Sequence, residues 1–198
     1  FIYLFAAIFA PFIAPHGEAE IFPVAYAPWG GHHLLGTDQI GRDIFSRIIF
    51  AARNTIGICL IATVLALIIG TVLGIIAALD RRYIDQILSR IVDTLMSIPV
   101  MIFTFILLSV FGPSNFNLIL ILGILESTRF FRISRSVAVG QVVLEYVEVA
   151  RLRGEKLSYI IFREILPNIS SPLIIEFGLR FIFIIFTISS LSFLGIGI

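Results

Sequence analysis

The chain has 198 residues, 59% of them hydrophobic and only 14% charged, with a formal net charge of +1 and a mean hydropathy of +1.06. A soluble domain carries about 25% charged residues, so this chain has too little polar side chain to coat a globule in water. The composition excludes a soluble enzyme, a nucleic-acid-binding module and a disordered tail, and predicts an all-α protein embedded in membrane lipid.

Residues 1–14 read as the end of a truncated first transmembrane helix, since no basic region or small-residue cleavage site marks them as a signal peptide. Residues 15–53 hold all three histidines, His16, His32 and His33, and a proline- and glycine-rich stretch up to Gly36. They are expected to form an external loop followed by a short amphipathic helix from about Asp38. The His32–His33 pair beside Trp29 is a poor metal site, because adjacent residues point apart and no third ligand is spaced to help. No metal site is therefore expected.

Between Arg53 and Asp80 lie 26 uncharged residues, about 39 Å of helix and more than a hydrocarbon core of about 30 Å requires. The lone Cys59 lies in this run, which leaves no disulfide framework or cysteine cluster and points to packing as a small hydrophobe. Ala62, Ala66, Gly70, Gly74 and Ala78 recur every four residues and form a stripe of small side chains, a helix-packing seam where another backbone can approach closely. A further 32 uncharged residues separate Asp93 from Glu126. The turn signal Gly112-Pro113-Ser114-Asn115 divides them into a span over about 92–111 and a second that starts near Phe116 and runs past Glu126. A last apolar run extends from Pro167 to about Leu191. With the truncated first helix, this makes about five transmembrane helices.

Ten of the fourteen basic residues are Arg81, Arg82 and Arg90 or fall between Arg129 and Arg163. The segments 80–90 and 130–165 are thus predicted to face the cytoplasm and residues 15–53 the outside. Glu126 and Glu176 fall near the middle of their spans, about 15 Å and 14 Å in from Phe116 and Pro167. Arg129 and Arg180 follow one turn later, so each carboxylate can pair within its own helix. Intramembrane charges of this kind face a bundle interior or a water-filled cavity. The four residues are either structural ion pairs or candidates for lining a polar path through the bundle.

The basic segment 130–166 is too long for a reverse turn. Val142, Val143, Val147, Ala150 and Leu157 provide it with apolar contacts, which suggests a folded docking element. Gly154 permits the positive φ that ends one helix and turns into the next, and Pro167 restricts Leu166. Two short helices with a corner between them are expected, a knob able to sit in a cleft of a soluble partner.

Four blocks carry a family resemblance. Glu145-Tyr146-Val147-Glu148-Val149-Ala150-Arg151-Leu152-Arg153-Gly154, followed by Leu166-Pro167, resembles the EAA loop of ABC importer permeases. Leu35-Gly36-Thr37-Asp38-Gln39-Ile40-Gly41-Arg42-Asp43-Ile44-Phe45-Ser46-Arg47 is similar to the LGTDxxGRDxxSR sequence of the C-type permease subunits of dipeptide, oligopeptide and nickel importers. Asp93 with Ile98-Pro99, and Leu191-Ser192-Phe193-Leu194-Gly195-Ile196-Gly197, resemble two further blocks of that subfamily. Val149 and Glu164 depart from the general EAA pattern, and a glutamate expected near Ile188 is absent.

The resemblance implies a type I ABC importer permease fold, with a core domain over 54–198 and a multi-pass location in a bacterial inner membrane. ATPase coupling would fall to Glu145, Glu148, Ala150, Arg151, Gly154, Leu166 and Pro167. The implied partners are a second homologous permease, two cytoplasmic ATPase subunits and an external solute-binding protein. Di- and oligopeptides are the implied cargo, with nickel or another small solute as the alternative. Because the sequence contains no P-loop, ATP and Mg belong to the partners, and no cofactor is expected on this chain. An ion channel would need a filter or charged ring and leaves the EAA-like loop unexplained. An intramembrane enzyme would need a base for Ser97, Ser109 or Ser127, and no histidine lies within the spans.

Overall fold

A computed structural model describes residues 2–31, 33–80 and 82–195. His32, Arg81, and Ile196 and Gly197 of the last resemblance block lie outside the described residues. The architecture is helical throughout, with no strand beyond isolated bridges among the described residues. Residues up to Ile58 and residues from Cys59 onward form two compact units.

The first unit opens on two short helices, α1 (Ile2–Ile8) and α2 (Ala10–Ile13). The segment that follows is organised by side chains rather than by a ladder. Asp38 Oδ1 accepts the N–H groups of Ile40 and Arg42, both at 2.9 Å. Its Oδ2 accepts Arg42 Nε at 3.0 Å and Arg47 Nη1 at 2.6 Å. The Arg42 backbone N–H, the Ile40 N–H and the Arg42 guanidinium outweigh partial desolvation and hold this carboxyl well below the usual carboxylate range. Thr37 Oγ1 closes the loop by accepting the N–H of Ala27 at 2.8 Å and donating to the carbonyl of Val24 at 2.9 Å.

With Asp38 committed to this turn, the helix expected from about Asp38 begins instead at Ile44. Asp43 Oδ2 accepts the Ser46 N–H at 2.8 Å in the manner of an N-cap. The helix also does not stop before the uncharged run. α3 (Ile44–Leu79) is one rod of 36 residues, about 54 Å long, and continues through the 53/54 boundary read from the sequence.

The second unit contains the rest of α3, then α4 (Tyr83–Met96), α5 (Val100–Phe111) and α6 (Asn115–Gln141). The expected span over 92–111 is not one rod. It breaks at Ser97-Ile98-Pro99, where Pro99 takes an extended ψ of 125°, and α4 meets α5 at 86°. The reversal after α5 lies at Gly112–Ser114, with Ser114 Oγ accepting the N–H of Asn117 as the cap of α6. Next come α7 (Glu145–Leu152), α8 (Leu157–Tyr159), a π-helical turn at Ile160–Ile165, α9 (Leu166–Asn168) and α10 (Ser170–Phe193). Among the described residues, α3 and α10 are each long and apolar enough to cross a membrane, and the bent α4–α5 pair makes a third if it is one span. α6 packs against α4, α5 and α10. At its C-terminal half, Arg135 forms a two-bonded pair with Asp85 of α4, and Arg132 Nη2 reaches Asp93 Oδ1 at 3.3 Å.

Candidate coupling elbow and buried charge cluster

α7 exposes Glu145, Glu148, Val149, Arg151 and Leu152 and turns Val147 and Ala150 fully inward. Arg153–Lys156 make the corner, with Gly154 at φ +74°, the left-handed conformation that glycine adopts without a Cβ penalty. Beyond it, Ile160, Ile161 and Ile165 point inward while Leu157, Phe162 and Pro167 stay exposed and Leu166 is half-buried. The inner face does not stand apart from the spans. Val147, Ala150, Ile160, Ile161 and Ile165 belong to one hydrophobic cluster with Ala66, Ile75 and Ala78 of α3, Phe130 and Ala138 of α6 and Leu173 of α10. Of the apolar residues expected to anchor this segment, Val147 and Ala150 do so, whereas Val143 and Leu157 face outward.

Pro167 acts differently from the sequence expectation. Leu166 stays right-handed helical at φ −56°, ψ −44°, and the chain breaks only at Ile169, at φ −104°, ψ 6°. The wider π turn over 160–165 precedes the proline, which lacks an N–H and crowds the preceding turn of a regular α-helix. A polar tie missed by the sequence reading joins both ends of the elbow. Tyr146 Oη donates to Gln141 Oε1 at 2.8 Å and accepts from Asn168 Nδ2 at 3.3 Å. Tyr146 and Asn168 lie 22 residues apart and form no recognisable spacing.

Of the two ion pairs that spacing predicted, Glu176–Arg180 forms within α10, whereas Glu126 pairs with Arg180 rather than with Arg129. Arg180 serves both carboxylates: Nη1 lies 3.3 Å from Glu126 Oε2 across the α6–α10 contact, and Nε lies 2.8 Å from Glu176 Oε1 within α10. The Nε contact is an ion pair without hydrogen-bond alignment. Side-chain exposures of 5%, 9% and 15% for Glu126, Glu176 and Arg180 place all three inside the protein. Arg180 also covers the Phe183 ring at 4.6 Å. Arg129 is exposed although it follows Glu126 by one turn of α6, and the buried carboxylate is met instead by the arginine of the neighbouring helix.

The small-residue stripe is buried along its length, at Ala62, Ala66, Gly70, Gly74 and Ala78. Its central glycines lie against the α6 backbone from Ser127 to Arg135, and Ser134 Oγ donates to the Gly70 carbonyl at 3.2 Å.

Residues 70–198 match the family described as binding-protein-dependent transport system inner membrane component. The chain belongs to that family. This inner membrane component is 36% identical over 197 residues to the dipeptide transport system permease protein DppC of Alkalihalophilus pseudofirmus, covering 98% of this chain and 64% of the relative. It is 31% identical over 202 residues to the di/tripeptide transport system permease protein DppC of Pseudomonas aeruginosa, covering 98% and 67%. Against the dipeptide transport system permease protein DppC of Haemophilus influenzae the identity is 32% over 198 residues, covering 96% and 67%. The chain spans about two thirds of the length of these curated relatives.

The elbow makes a direct prediction. A Cβ on Gly154 would meet no atom within 4 Å, so substitution there tests backbone strain alone. Gly154→Val should destabilise the corner by about 1–2 kcal/mol, with Gly154→Asn milder because asparagine tolerates the left-handed region. The check is proteolytic nicking at 153–156 in purified protein; equal nicking rates in Gly154→Val and the parent would remove the strained-corner assignment.

Proposed function

We propose that this chain forms one half of the translocation pathway of an ATP-driven, binding-protein-dependent importer of di- and oligopeptides. In this reading the elbow over 145–167 docks on a cytoplasmic ATPase. Two ATPase subunits, a second homologous permease and an external solute-binding protein complete the assembly. The carrying observation is the two-sided elbow. Its outer face, with Glu145, Glu148, Arg151, Leu152 and the Gly154 corner, is exposed, and its inner face shares one hydrophobic cluster with α3, α6 and α10. A partner that moves the outer face therefore moves packed helices, since close-packed interiors transmit displacement rather than absorb it. Peptides are the cargo favoured by the dipeptide and di/tripeptide names of the relatives. Glu126, Arg180 and Glu176 are the proposed charged lining of the path, with the exposed Arg129 at its edge.

The experiment is reconstitution of the complex with peptide uptake and ATP hydrolysis measured together. Replacing Glu148 and Arg151 with alanine should reduce ATPase copurification or separate hydrolysis from uptake. Unchanged coupling in that variant would sink the docking assignment. Orientation is tested separately in a Cys59→Ser background, Cys59 being fully buried. A cysteine at position 156 should react with an impermeant thiol reagent only from the cytoplasmic side, and one at position 29 only from outside. Labelling of position 156 in intact cells would overturn the topology.

A further inference from the structure

The unit formed by residues 1–58 has almost no apolar interior. Its buried hydrophobic residues among those described are Ala7, Ala10, Ile49 and Ile58, and beside them it buries Thr37, Asp43 and Ser46. A segment of this size with so small a core needs another source of order, for which polar networks, disulfides and metal ions are the usual means. The lone cysteine, buried in α3, supplies no disulfide.

Three metal-ligating side chains converge inside this unit. His16, His33 and Asp43, far apart in the sequence, bring one ligand atom each to within 4.8 Å of one another. His33 Nδ1 stands 3.0 Å from Asp43 Oδ1, and the two imidazole rings have centroids 5.2 Å apart. Ligands bound tetrahedrally at about 2.0–2.2 Å from a zinc ion lie about 3.4 Å from each other. The closest pair, a hydrogen bond at 3.0 Å, must open by a few tenths of an ångström, and the widest must close by little more than an ångström. His16 and His33 are half-buried, whereas the Asp43 side chain is 1% exposed.

The surroundings are those of a supported ligand set. Asp43 Oδ2 is occupied by the Ser46 N–H at 2.8 Å, so the single-oxygen ligand is Oδ1, which accepts from His33 Nδ1 at 3.0 Å and would exchange that hydrogen bond for the ion. Ser46 Oγ accepts the His16 backbone N–H at 3.1 Å, so the same residue anchors two of the three ligands. Glu20 Oε2, which accepts the Gly17 N–H at 3.0 Å, stands 3.9 Å from His16 Nδ1 and adds negative charge beside the ligand set. Phe22 closes the cluster edge-on against both rings, at 4.7 Å from His16 and 4.6 Å from His33.

We propose that His16, His33 and Asp43 form a binding site for a divalent transition ion of the zinc class, with an open fourth position, which staples the segment after α2 and the turn at His33 to the start of α3. Two imidazole nitrogens and one carboxylate oxygen suit zinc or cobalt. Calcium, which takes 6–8 oxygen ligands, and magnesium, which demands an octahedron of oxygens, are poorly served. The site is independent of the importer reading, since it concerns the order of residues 14–46 and not transport.

The test uses the detergent-purified chain, without a polyhistidine tag, after treatment with a chelator. Titration with Co²⁺ should produce visible d–d absorption of a four-coordinate site saturating at one ion per chain. Zn²⁺ should displace the cobalt and raise the thermal midpoint in a concentration-dependent way, whereas Ca²⁺ and Mg²⁺ should do neither. His33→Ala and His16→Gln should each weaken Co²⁺ binding at least tenfold and lose the Zn²⁺-dependent rise in thermal midpoint measured against each variant's own metal-free form. Asp43 is not the first choice for substitution because it also caps α3. Absence of stoichiometric cobalt absorption in the parent, equal displacement by Ca²⁺, or parent-like affinity in both histidine variants would each overturn the proposal. Should both variants misfold, the parent decides: a thermal midpoint that Zn²⁺ leaves unmoved overturns the site, and a saturable rise supports it.

Discussion

Gly70→Leu should separate α3 from α6 and prevent recovery of a folded, assembled chain. A Cβ at Gly70 would lie 2.3 Å from the Ser127 carbonyl oxygen, 2.5 Å from Phe130 Cβ and 2.8 Å from the Phe131 nitrogen. None of these atoms can swing away by a rotamer change, so the helices themselves must part. Overpacking costs about 1–3 kcal/mol, occasionally more, and helix separation would also stretch the Ser134 hydrogen bond to Gly70. Even Gly70→Ala should be harmful. Gly178→Ala in α10, where a Cβ meets nothing within 4 Å, should be neutral or slightly stabilising through helix propensity. Thermal midpoints and monodisperse yield in detergent distinguish the two sites, and equal behaviour of Gly70→Ala and Gly178→Ala would remove close backbone approach as the purpose of the stripe.

Arg180→Gln is expected to be the most damaging single change among the buried charges. It leaves two carboxylates, Glu126 and Glu176, inside the protein without the cation that bridges them. Removing one partner of a buried pair costs about 3–5 kcal/mol. The triple variant Glu126→Gln, Arg180→Gln, Glu176→Gln removes every charge in the cluster and should recover most of that stability, a non-additivity expected of groups in one network. Arg129→Gln, at an exposed position, should change thermal stability by less than about 0.5 kcal/mol. If the triple variant is as unstable as Arg180→Gln, the charges are not acting as one cluster. The triple variant also tests the proposed path lining. Restored assembly with lost preference for peptides bearing free termini over N-acetylated ones supports that role, and an unchanged preference leaves the charges as structural ties.

What the sequence determined by itself was what depends on composition and local chain geometry. Membrane embedding followed from the scarcity of charge, and the reversal at Gly112–Ser114 and the corner at Gly154 followed from residues whose backbone preferences act within a few positions. The stripe on α3 was equally visible because a four-residue period lies along one face of any helix. Its partner was not visible, since α6 meets it largely with backbone, which carries no sequence signal.

Tertiary structure decided the rest wherever reach across space outweighed spacing along the chain. Arg180 takes Glu126 because its guanidinium reaches the carboxylate from the packed neighbouring helix at 3.3 Å, while Arg129, one turn along the same helix, stays exposed. The uncharged run ending at Phe111 contains an 86° bend that hydropathy averages away, because a proline redirects the backbone without altering apolarity. His16, His33 and Asp43 meet in a loop held by the Asp38 turn and the Thr37 clasp. Their chemistry is written in the sequence, but their proximity is a product of the fold.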